Sequence, residues 1–116
     1  MTGLTVILSI LLALAFLGAG VAKVTGQQAM VEAAAHTGFS LQNYKVIGGL
    51  EILGAVGVLV GLGVHALGGL AALGLLITMI GAVVVHVRKG DQPKDFAPAA
   101  GLGVLSLVVT LLDFTR

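Results

Sequence analysis

Cysteine is absent from this chain of 116 residues. That excludes disulfide staples, thiolate metal sites and CxxC redox chemistry. Tryptophan is absent too, and tyrosine occurs once. The aromatic belt that usually marks a membrane interface is therefore nearly missing, and helix packing and the few charges must set depth instead. Charge itself is scarce. Only 9% of residues are Asp, Glu, Lys or Arg, where a soluble domain carries roughly a quarter. The net charge of +1 is too small to point to nucleic acid. No Ser-His-Asp arrangement, phosphate loop or HExxH is present, so nothing specifies a reaction and no catalytic residue is assigned. No clustered carboxylates accompany the histidines, which argues against a metal site. The first residues lack a basic stretch. Ala13-Leu14-Ala15 has the form of a cleavage site, but apolar sequence continues to Ala22, so the first helix is expected to be retained.

What the chain has is apolar surface. Hydrophobic residues make up 58% of it, and its mean hydropathy is +1.13. A soluble protein this small has no way to cover so much apolar side chain, whereas lipid removes the need. A helix requires roughly 20 residues to cross the bilayer core. Four stretches fit, at 4–22, 46–64, 66–87 and 96–112. The expected fold is all-α, a single four-helix membrane domain, antiparallel and up-down. Only a Gly63-Val64-His65-Ala66 region joins the second and third spans, which forces a tight helical hairpin. The first loop is longer. Residues 27–35 within it read as a short helix of small residues, broken by Thr37-Gly38, that lies on the surface or tucks into the bundle mouth. Asp95 is expected to cap the fourth helix, with Pro98 in its first turn.

Lys23, Lys45, Arg88, Lys89 and Lys94 fall on the side of the first and third loops, and only Arg116 on the side of the termini. The positive-inside rule then places loops 23–45 and 88–95 in the cytoplasm and both termini outside.

One residue is out of place. Glu51 sits inside the second apolar run, where a carboxyl group needs a partner, a neutralising proton or a functional reason. It lies five residues in, roughly 8 Å from the start of the span. The first span ends at Lys23 on that side, and the third returns there at His86. Antiparallel connectivity alone puts all three in one half of the membrane. Each shares its helical stripe with small residues: Gly48, Gly54 and Ala55 beside Glu51, Ala19 and Gly20 beside Lys23, Ala82 and Val83 beside His86. Small faces point at other helices, so the three are expected to converge inside the bundle. Two readings stand side by side: an ion pair that fixes helix register, and a ligand or proton site. Lys23 and His86 also have the option of snorkelling to the headgroups.

Eighteen glycines accompany them. Gly20, Gly48, Gly54, Gly57, Gly61 and Gly81 are expected at helix-packing positions, or to leave room for a flat or linear lipid-like ligand. Asp91 with Arg88 is a candidate to close the mouth beside His86. His65 reads as a solvated turn residue, Tyr44 and Lys45 as interface anchors, and Asp113 as a residue of the far interface.

The pieces just described resemble a known pattern. Gly20-Val21-Ala22-Lys23-Val24-Thr25-Gly26 is similar to the first-helix end of DoxX-like proteins, and Lys45 through Ala55 resembles their second-helix motif. Met79-Ile80-Gly81-Ala82 followed by His86-Val87-Arg88-Lys89-Gly90-Asp91 resembles the third. The resemblance implies a small four-helix protein of the bacterial cytoplasmic membrane and marks Lys23, Glu51 and His86. The family takes its name from a subunit of a thiosulfate:quinone oxidoreductase, and its relatives include membrane assembly chaperones. The expected function is to bind a quinone or other lipid-like ligand, or to serve as an accessory subunit of a membrane oxidoreductase. The alternatives are an assembly or scaffold factor for a client membrane protein and, ranked below it, a proton or small-solute transporter. An independent enzyme is not expected. The small-residue faces suit a homodimer.

Overall fold

A computed structural model describes residues 3–115. Five helices follow in order: α1 Gly3–Val24, α2 Gln28–Thr37, α3 Leu41–Val60, α4 His65–Arg88 and α5 Pro93–Thr115. No strand occurs among the described residues. α1, α3, α4 and α5 are each long and apolar enough to cross a membrane. The long axis of the molecule is 41 Å, close to a bilayer with its headgroups at roughly 40–45 Å.

The helix ends are written in short-range chemistry. α1 and α4 stop in the same way. The N–H of Gln27 bonds to Ala22 O at 3.2 Å and that of Gly26 to Lys23 O at 3.2 Å. In α4, Asp91 N–H bonds to His86 O and Gly90 N–H to Val87 O, both at 3.0 Å. These are paired Schellman bonds, which need a left-handed residue after the helix. Gly26 (φ 66°) and Gly90 (φ 75°) supply it at no steric cost. The second of these turns folds Asp91 back beside His86.

Most helix ends fall within three residues of the sequence reading, and three shifts have a local cause. The second span begins at Leu41 and ends at Val60 instead of covering 46–64. Apolarity alone misplaced it. Ser40 Oγ accepts the Asn43 N–H at 3.1 Å, which starts the helix early, and the turn at Gly61 stops it early. α5 begins at Pro93, which takes the first-turn place expected of Pro98, so Pro98 lies inside the helix. Asp95 accordingly sits in the first turn and is not the cap residue. Its Oδ2 accepts the Gln92 N–H at 3.0 Å, reaching back as a capping-box acid does.

The four long helices form two close pairs, α1 with α3 and α4 with α5. α3 and α4 join them into one bundle, α1 and α5 touch more lightly, and α2 rests on α3. Lipid gives no hydrophobic drive to this assembly, so close approach of backbones must supply it. α1 crosses α3 at Gly20 and Gly48, where a Cβ on Gly48 would stand 2.8 Å from Gly20 O. α3 crosses α4 along Gly54, Gly57 and Gly61, against Leu75, Ala71 and Gly68. Leu12, Phe16, Ala55, Val58, Ala72 and Val109 are wholly buried between the pairs. Large apolar side chains such as Leu14, Leu53, Leu70, Ile77 and Val104 stand outward, as the face toward acyl chains requires.

Candidate functional site

Lys23 and Glu51 meet because of the glycine crossing. Gly20 and Gly48 bring α1 and α3 together, and each charged residue lies three residues further along its helix, one turn on. Lys23 Nζ is 2.7 Å from Glu51 Oε1. Distance and charge make this contact; its angle is not that of a hydrogen bond. The Glu51 side chain is 2% exposed and that of Lys23 16%. The Lys23 ammonium also stands 5.6 Å from the centre of the Tyr44 ring, within cation–π range.

His86 does not join that pair. Its Nδ1 lies 2.6 Å from Asp91 Oδ2. The other oxygen of Asp91, Oδ1, is 2.8 Å from His36 Nε2. One carboxylate thus bridges two imidazoles and ties α2 to the turn between α4 and α5. Asp91 does this in place of the mouth-closing role expected with Arg88, which is exposed. The Schellman turn decides the difference, because it aims Asp91 back at the helix it has just left. His36 was not singled out as a site residue. The signal was thin: a histidine in the last turn of a short helix, 55 positions from its partner.

The bonds from His86 and then His36 hold the Asp91 carboxyl below its ordinary value of 3.8. A depressed carboxylate contributes to stability above its unfolded pKa, and the contribution is lost as pH falls through the folded value. The α2 docking is therefore expected to weaken only in acid. Amide hydrogen exchange of residues 28–37, corrected for intrinsic rates, should rise below about pH 4. Asp91→Asn should remove that rise by weakening the docking at every pH.

Between the two helix pairs, at the α2 end, lies a partly open cavity of about 500 Å³. Lys23, Tyr44, Glu51, His86 and Asp95 all line it, and Met79 and Ala99 form part of its apolar wall. The volume falls within the range of small-molecule sites. Gly81 lines it as well and packs against no helix, since a Cβ there would meet nothing within 4 Å. That corrects its expected packing role: α4 turns this face to the space between the pairs. Among the described residues, no group of three His, Cys, Asp or Glu could hold a metal ion.

At the opposite end Asp113 is buried, not interfacial. A Cβ at Gly68 would lie 2.5 Å from its Oδ2, so the space for this carboxyl exists because position 68 is glycine. Ser106, Thr110 and Asp113 share one buried face of α5, a spacing of four and three residues that the sequence itself carries. His65 opens α4 and is exposed.

Comparison with protein families matches residues 7–109 to the DoxX-like family. No curated protein and no solved structure matches the chain.

Proposed function

This chain belongs to the DoxX-like family and is an integral membrane protein with four helices that can span, and from that premise we propose that it binds a lipid-like molecule, a quinone being one such ligand, as an accessory subunit of a membrane oxidoreductase system. One observation carries this reading. Lys23, Glu51 and His86 come from three different helices and line the same cavity, whose remaining wall is largely apolar. Small-molecule sites have this character, with a few convergent polar groups in an apolar pocket. The chain carries no redox centre of its own among its side chains, so electron transfer would belong to the partner and the ligand.

Glu51→Gln tests the reading. The amide keeps the volume and removes the charge that orients Lys23. Protein purified gently from its native membrane should lose at least about tenfold of its co-purifying lipid or quinone, read by mass spectrometry. Retention unchanged from wild type, with the same partner chains still attached, would favour the assembly-factor reading.

The membrane is taken to be the bacterial cytoplasmic membrane, with α2 and the α4–α5 turn on the cytoplasmic side. Lys45, Lys89 and Lys94 at that end support this through the positive-inside rule. The chain has no cysteine, so Gln28→Cys on the exposed face of α2 gives a single label site. A membrane-impermeant maleimide should label it only after intact cells are permeabilised. Labelling in intact cells would reverse the orientation.

A further inference from the structure

The walls of the cavity restrict the chemistry of what they hold, given the reading of it as a ligand site. Consider charge first. Lys23 and Glu51 cancel each other at 2.7 Å. The other cavity-lining acid is Asp95, on the first turn of α5. The lining thus contains no cation free of a partner, and a carboxylate or phosphate headgroup would meet none.

Next consider hydrogen bonding. An ionised carboxylate only accepts, so at the His86–Asp91 contact the proton belongs to Nδ1. In the neutral ring Nε2 is then an acceptor. It has no hydrogen-bond partner among the described residues, while His86 lines the cavity. Asp91 is in turn held by His36, which fixes the carboxylate that fixes the ring. The matching ligand group is an O–H donor.

Last, consider the apolar side. A groove of about 280 Å³ runs along the α4/α5 seam and shares Met79 and Ala99 with the cavity. Ile80, Val84, Val104 and Leu107 on its walls are exposed on the lipid-facing surface. His86 and Met79 lie seven residues apart on one face of α4, about 10 Å along the axis.

We infer that the cavity takes a neutral, hydroxyl-bearing amphiphile (of a quinone pair, the reduced quinol and not the quinone), whose O–H donates to Nε2 of His86 and whose tail leaves over Met79 and Ala99 into the α4/α5 groove. His86 is the group that touches the ligand; Asp91 and His36 are positioning residues. Alkylphenols are suitable probes, because the methyl ether of the same molecule keeps its shape and loses the donor.

The test uses the full chain in phosphatidylcholine nanodiscs, labelled with nitrogen-15 histidine, against protein-free discs. Dodecylphenol should bind about tenfold tighter than its methyl ether and than dodecanoate, the scale of one lost hydrogen bond to a desolvated partner. Without any probe, the neutral His86 ring should show its proton on Nδ1. Asp91→Asn, whose amide can donate to Nδ1, should bring phenol and ether to within about twofold of each other. Ala100→Leu fills the groove away from the cavity and should reduce dodecylphenol to the affinity of ethylphenol. Should Asp91→Asn fail to fold, the wild-type phenol-to-ether ratio and the wild-type tautomer still decide. Ether or dodecanoate binding as tightly as phenol, or an Nε2–H tautomer in wild type, would overturn the headgroup assignment alone. Binding of none of the four probes would overturn the ligand reading of the cavity along with it.

Discussion

Lys23→Met is expected to destabilise the protein by about 3–5 kcal/mol, the range seen when one partner of a buried ion pair is removed. The reason is asymmetric. Glu51 stays behind at 2% exposure, with its paired cation gone. It must then remain charged in an apolar site or take up a proton, and each costs free energy. Methionine fills the space of the lysine stem, so lost packing contributes little. Adding Glu51→Gln to Lys23→Met should recover most of the loss, because a neutral amide asks for no counter-charge. Reversible unfolding in mixed micelles, run as a double-mutant cycle, reads the coupling. A single Lys23→Met variant within about 0.5 kcal/mol of wild type would mean that the pair does not hold the bundle together. The Tyr44 ring adds a smaller share, since cation–π contacts contribute about 0.5–2 kcal/mol.

Gly48→Ala should be nearly as damaging, through geometry instead of charge. A Cβ at position 48 would stand 2.7 Å from Lys23 Cβ and 2.8 Å from Gly20 O. Neither is the tip of a flexible side chain, so α1 must move away from α3. Overpacking of this kind costs about 1–3 kcal/mol, and backbone opposition puts it at the upper end. The displacement also pulls Lys23 from Glu51, so the two effects add. Gly74→Ala is the control. It meets nothing within 4 Å, and alanine is the better helix former by about 1 kcal/mol. It should be neutral or mildly stabilising in the same assay. Equal effects from the two substitutions would refute the close crossing.

The class of the molecule was legible in the sequence because it rests on length and apolarity. A run of apolar residues longer than the bilayer core has few other fates, and four of them become α1, α3, α4 and α5. At the starts of α3 and α5 a local bond moved the boundary: the Ser40 cap and the Asp95 bond both override apolarity. The short α2 was visible as small residues ended by Gly38, and it runs over residues 28–37.

The candidate site was legible only in part. Connectivity placed Lys23, Glu51 and His86 in one half of the membrane. It did not say which would touch. Lys23 reaches Glu51 because two glycines let α1 and α3 approach, whereas His86 is claimed by Asp91 through a helix-ending turn. Gly81 shows the same limit from the other side. A glycine on a span reads as a packing position, and here it faces the space between two helix pairs.

The sequence by itself determined that this is a four-span membrane bundle with an acid held inside it, since the free energy of apolar transfer and the cost of a charge in hydrocarbon depend on residue type and order alone. Only the tertiary structure decided which cation meets that acid, that His36, Asp91 and His86 form one bridged set, and that a cavity of about 500 Å³ remains between the helix pairs. Those outcomes depend on how far apart and at what rotation helices settle, which is set by contacts between residues distant in the chain.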